Sequence, residues 1–185
     1  MSKFAKLGSV RRSWDTAIIG LLLLVWVFAS LTTSNFLTPL NFSYIFSNTS
    51  EIMIIAFAML FMIILGEIDL SVASILALGS SMLGWSYAKG APIWMAILIC
   101  ILVGTACGFV NGFLVTKLGL GSLAVTIGTL ALYRGIANGL LGENTVNEFP
   151  EFWTSFGFDT IGKSFMPKTL PLIIIFGILF GLLLH

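Results

Sequence analysis

Long runs with at most one charge, each near the length that crosses a bilayer, succeed one another along this chain. A hydrocarbon core about 30 Å thick needs roughly 20 mostly apolar helical residues. Six such runs are expected as helices: Thr16 to Ser34, Tyr44 to Leu65, Leu70 to Ser86, Ile93 to Val115, Leu120 to Leu141, and Leu170 to the end. Composition agrees, since 58% of the 185 residues are hydrophobic and 9% charged, with mean hydropathy +1.06. Soluble domains carry about 25% charged residues, so an ordinary globular protein is excluded, and so is a disordered chain. Nine Lys and Arg against eight Asp and Glu leave no basic face for nucleic acid. The fold class expected is all-α: a polytopic transmembrane bundle of about six spans, forming one domain over residues 1–185.

Orientation follows from the basic residues, which short loops retain on the cytoplasmic side. Lys3, Lys6, Arg11 and Arg12 precede the first run, so the N-terminus is expected to be cytoplasmic. Lys117 then falls inside, and the segment from Glu143 to Lys168 falls outside. Lys89 falls outside as well and is the single dissent. The external segment carries Phe149, Phe152, Trp153, Phe156 and Phe158. Those aromatics suit either an amphipathic piece at the membrane interface or a docking surface for an external partner.

Helices in lipid approach through small residues. Gly104, Gly108 and Gly112 recur every fourth residue in the fourth run, and Ala131, Gly135 and Gly139 do so in the fifth; Gly177 and Gly181 repeat the spacing weakly in the last. The fourth and fifth helices are therefore expected to cross closely, with each other or with neighbours. Cys100 and Cys107 would stack on one helix face about 10 Å apart, too far for a disulfide, and read as packing residues. The chain has one histidine, His185, and no CxxC, HExxH, Walker or GxSxG pattern, so no metal site or catalytic nucleophile is expected.

Polar groups inside spans are costly, a central charge by roughly 2.5–3.5 kcal/mol on insertion scales. Arg134 either snorkels to the outer headgroups or lines a hydrated path through the bundle. Asn111, Thr126 and Thr129 are candidates for the same path, or for hydrogen bonds between helices. The segment Gly66-Glu67-Ile68-Asp69-Leu70-Ser71-Val72 lies between two apolar runs. Asp69 can cap the following helix by accepting the N–H of Ser71 or Val72, with Glu67 beside its positive end. The same acids in so short a turn also suit a broken helix lining a cavity, which adds Glu67, Asp69 and Ser71 to the path candidates.

At this segment the chain resembles the permease subunits of bacterial ABC importers for simple sugars of the ribose, xylose, arabinose, galactose and rhamnose type. Phe36-Leu37-Thr38-Pro39-Leu40-Asn41-Phe42 is similar to that family's extended FLTxxN stretch, and Gly66 to Val72 to its GGIDLSVG motif. Asn111-Gly112 leading to Val115-Thr116-Lys117, Val125 to Leu130, and Tyr133-Arg134-Gly135 are similar to later blocks in the same order. Glu67 and Ala73 stand where the family often has glycine, and Gly121 where it often has proline. The resemblance covers nearly all of this chain but about the first half of a family member. It implies a truncated or partial permease that inserts but does not transport alone.

For the complete protein, the resemblance implies a location in the bacterial cytoplasmic membrane and a sugar path at the interface with a second permease subunit. Cytoplasmic ATPase subunits would drive it and an extracytoplasmic sugar-binding protein would deliver to it. ATP would bind those separate subunits, so no cofactor is expected on this chain. Two alternatives are a permease for branched-chain amino acids, against which the IDLSV segment argues, and a non-transporting fragment. An enzyme would have only Glu67 and Asp69 as a close acid pair, and no such activity is expected.

Overall fold

The computed structural model describes residues 3–142, 144–162 and 166–184, which leaves Glu143, Lys163 and His185 of the expected segments outside the described residues. The described residues form seven helices: α1 (Lys3–Thr32), α2 (Pro39–Ile64), α3 (Val72–Ala88), α4 (Ile93–Thr116), α5 (Ser122–Leu141), α6 (Glu151–Phe158) and α7 (Leu170–Leu183). Six of them answer to the six expected runs, and α6 is a short helix in the external segment. Among the described residues, four spans are long and apolar enough to cross a membrane: Trp14–Thr32, Pro39–Ile64, Ile93–Thr116 and Ser122–Leu141. The 17 residues of α3 and 14 of α7 reach only about 25 and 21 Å as helix, short of a full crossing. For α3 the shortfall has a local cause, because Gly66 to Ser71 precedes it as non-helical chain.

The helix ends are written in the sequence. Pro39 opens α2, where its missing N–H costs nothing, and Thr38 caps it by accepting the Asn41 N–H at 3.3 Å. The Thr38 hydroxyl donates in turn to the Asn35 carbonyl, and the Asn41 amide to that of Phe36, at 2.8 and 2.7 Å. Gly66, at φ +74°, closes the other end of α2. The Gly66 N–H reaches the Ile63 carbonyl and the Glu67 N–H that of Met62, which satisfies two carbonyls that an abrupt helix end would leave bare.

Packing divides the helices. α3 lies against both α4 and α5, and α2 pairs with α7. Small residues make the α3 contacts possible: Ser74, Gly79, Gly84 and Ser86 are all buried, with Leu78 among them. Leu78, Cys107, Tyr133 and Ala137 form the apolar core of this three-helix group. Between α2 and α7 the rings of Phe57 and Phe61 meet Phe180 with centroids 6.2 and 5.3 Å apart, and Ser50 and Thr169 share a hydrogen bond of 3.0 Å. None of the membrane-length window of α1 is buried; Trp26 stands edge-on to Phe36 in the turn that follows.

The glycine stripes take little part in that packing. A Cβ at Gly104 would lie 3.9 Å from Ile75, but at Gly108, Gly112, Gly135 and Gly139 it would meet nothing within 4 Å. α4 and α5 touch each other and each packs more extensively on its neighbour α3, as the expected crossing allowed, but the tight points are elsewhere. A Cβ at Gly79 would lie 3.2 Å from the Cys100 sulfur, and one at Gly177 3.3 Å from the Phe57 ring. Cys100 and Cys107 are packing residues, as their spacing implied.

The external segment is folded down onto the bundle. Phe149 stacks on Tyr87 at 5.2 Å, Trp153 meets Trp94 edge-on at 5.1 Å, and Val146 lies 3.5 Å from a Cβ placed at Gly84. Lys168 ties the segment to itself, donating to Ser155 and pairing with Asp159 at 3.0 and 3.1 Å.

Candidate functional site: a polar junction between three helices

Where α2 gives way to α3, the chain passes the end of α4 and the start of α5, and the polar residues of all three meet. Asp69 turns its Oδ1 back onto Ser71, accepting the backbone N–H at 2.8 Å and the hydroxyl at 2.6 Å. Asp69 therefore holds the start of α3, as the capping reading required, although the cap position itself is Ser71. Ser71 is fully buried, and its carbonyl accepts the N–H groups of Ser74 and Ile75.

From Ser71 the chain of bonds crosses to α4. The Asn111 amide donates to the Ser71 hydroxyl at 2.7 Å, and the Asn111 oxygen accepts from the Tyr133 hydroxyl of α5 at 3.4 Å. Tyr133 also donates to the Cys107 carbonyl at 3.2 Å. A second strand of contacts pins the turn to α5: the Ile68 N–H reaches Ser122 at 3.4 Å, and the Thr126 hydroxyl reaches the Ile68 carbonyl at 3.3 Å. At bilayer depth there is no water to take over a lost partner, so irregular backbone persists only when protein groups satisfy it. The junction supplies those groups.

Of the seven candidates, Asp69, Ser71 and Asn111 form one direct chain and Thr126 joins it through Ile68. Thr129 is buried but bonds to its own helix, at the Val125 carbonyl. Glu67 is half-buried and contributes its N–H to the end of α2, while its carboxylate has no partner among the described residues. Arg134 is exposed and turned away from the core that its neighbour Tyr133 enters, so within this chain it does not face the bundle interior. Tyr133 and Ser122 were missed as site residues. The signal for Tyr133 lay in its spacing, since Val125, Thr129, Tyr133 and Ala137 recur every fourth residue and are all buried.

The junction is filled by its own polar atoms, with the chemistry of a clasp. Open clefts lie at the other end of the helices: about 440 Å³ beside Phe36, Asn41 and Tyr44, and about 340 Å³ beside Tyr87, Val146 and Glu148. No group of three metal-ligating side chains occurs among the described residues.

If Asp69 acts through its acceptor, Asp69→Asn, which keeps a carbonyl oxygen there, should change stability by less than about 0.5 kcal/mol. Asp69→Ala should cost about 1–2 kcal/mol, the range for a lost cap. Denaturation of the purified variants in mixed micelles separates the two. Equal losses would mean that the negative charge, and not the hydrogen bond, holds the turn.

Apolar helices of crossing length, joined by a broken segment that neighbouring helices stabilise, define a multi-pass membrane protein. The chain belongs to the permease components of ABC importers: the family model described as branched-chain amino acid transport system / permease component matches residues 41–185. Such components are multi-pass proteins of the bacterial inner membrane and are not enzymes. Among curated proteins it is similar to the autoinducer 2 import system permease protein LsrD of Klebsiella pneumoniae, 32% identical over 95% of this chain and 54% of that protein. The LsrD protein of Yersinia enterocolitica is 30% identical with the same coverage. The chain thus spans about half the length of the curated relatives it matches. No solved structure matches.

Proposed function

We propose that this chain supplies half of the translocation path of an ABC importer for a monosaccharide-type solute. The carrying observation is the Gly66 to Val72 turn. Its Asp69 and Ser71 are the residues by which the segment resembles sugar permeases, and they are also the residues bonded into α4. Relatives named for autoinducer 2 import support an importer of small solutes, while the family description names branched-chain amino acids. Cytoplasmic ATPase subunits, an extracytoplasmic sugar-binding protein and a second permease subunit complete the proposed assembly. In this reading the junction positions the broken segment, and Glu67 and Arg134, which the junction leaves unused, are the candidates for the path.

Uptake is the test. Cells lacking endogenous monosaccharide import are given this chain completed to the length of its relatives, with a second permease subunit, the ATPase and the binding protein, and are offered labelled ribose, autoinducer 2 and leucine. ATP-dependent accumulation of the monosaccharide is expected. Accumulation of leucine alone would replace this reading with the amino-acid one, and accumulation of autoinducer 2 alone would narrow it to the named activity of the relatives.

A further inference from the structure

An aromatic strip leaves the side of α4 and continues onto α6. Along α4, Trp94, Leu98, Ile101, Leu102 and Phe109 are 68, 55, 59, 58 and 72% exposed, and their spacing places them on one face. Trp94 is the second residue of α4, at the depth where a span enters the headgroup region. Its ring meets Trp153 of α6 at 5.1 Å, and Trp153 meets Phe152 at 5.2 Å. Phe152 is 65% exposed, so the strip ends on a large apolar ring that this chain leaves uncovered.

Phe156 shares the apolar side of α6, and the opposite side carries Glu151, Thr154 and Ser155, with the exposed Phe158 as its one aromatic ring. Glu151 and Asp159 are exposed at its two ends, and Ser155 receives the Lys168 ammonium. The helix is thus apolar where it continues the α4 face and polar where the segment folds back on itself. Tryptophan and phenylalanine beside the end of a span, with charge on the opposite side, match the chemistry of the headgroup boundary.

We propose that α6 is an interfacial lipid anchor, lying in the plane of the headgroup boundary with Trp153 and Phe152 against the acyl chains. The strip is continuous with a face of α4 whose other residues lie along a helix of membrane-crossing length. Anchored there, α6 would hold the external segment down on α3 and α4 through Phe149, Trp153 and Val146. The proposal does not depend on which solute the importer carries.

Depth-dependent quenching of tryptophan tests it. The chain is reconstituted into phosphatidylethanolamine and phosphatidylglycerol vesicles doped with phosphatidylcholine brominated near the head or near the tail of its acyl chains. Trp14, Trp26, Trp85 and Trp94 are replaced by phenylalanine, leaving Trp153 as the reporter. Loss of emission should be greatest with the shallow bromines, smaller with the deep ones, and smaller still with aqueous iodide. Should the four replacements prevent folding, Trp153→Phe in the otherwise unaltered chain gives the same quantity as a difference. It should remove emission that shallow bromine quenches. Quenching by iodide with none by bromine would overturn the proposal and make α6 an aqueous docking surface. Protection from all three quenchers would overturn it in favour of a protein cover, and preferential quenching by the deep bromines would overturn the interfacial placement.

Discussion

Leucine at position 79 should force α3 away from α4 and cost about 3 kcal/mol, the upper part of the range for overpacking a close-packed site. Gly79 is buried, and even a methyl group there would sit 3.2 Å from the Cys100 sulfur and 3.6 Å from its carbonyl oxygen. The sulfur can shift; the backbone carbonyl of a helix cannot. Gly79→Ala should therefore cost much less than Gly79→Leu, and Cys100→Ala should rescue the alanine variant and leave the leucine variant impaired. Such non-additivity is expected between residues in contact. Gly108→Leu and Gly112→Leu are the contrast, because nothing in the chain lies within 4 Å of a Cβ at either. Both should stay within about 0.5 kcal/mol of the parent. The measurement is the midpoint of denaturation on titrating micelles of the purified chain with dodecyl sulfate. Equal losses at positions 79 and 108 would show that the α4 stripe is packed after all.

That contrast also marks how far the sequence could be read. The spans were legible because lipid demands length and apolarity, and both are visible in one dimension. For Asp69 the sequence offers two roles, a cap for α3 and the lining of a cavity, and its bonds to Ser71 fill the first. The close crossing of α4 and α5 with a neighbour is legible in the glycine stripes, but a four-residue spacing shows that a helix has a smooth side without showing what lies against it. The smooth side in use belongs to α3, where Ser74, Gly79, Gly84 and Ser86 are irregularly spaced and form no stripe. For Arg134 the sequence leaves two placements open, the outer headgroups and the bundle interior; neighbours on a helix face directions about 100° apart, and the interior position belongs to Tyr133.

The partnership of Asn111 with Ser71 could not be read from the sequence at all, since 40 residues separate them, and it carries the second large expected effect. Asn111→Leu keeps the side chain's size but removes the donor to Ser71 and the acceptor for Tyr133. A hydrogen bond between transmembrane helices averages about 0.6 kcal/mol and reaches about 1.7, and a buried group left unpaired costs about 1–3. The loss should be about 2 kcal/mol. Tyr133→Phe should cost less, because its bonds of 3.2 and 3.4 Å are both longer than the 2.7 Å bond to Ser71. Thr129→Val should be nearly neutral, since Thr129 bonds only within its own helix. A graded series in the order Asn111, Tyr133, Thr129 is what a connected clasp requires, and a flat one would reduce the junction to independent contacts. In the cycle with Ser71→Ala, the Asn111→Leu loss should shrink by about 0.5–2 kcal/mol, because the group that Asn111 served is already gone. Additivity there would mean that Asn111 holds α4 to α3 by shape alone, and the turn at Asp69 would then be fixed only by its contacts with α5.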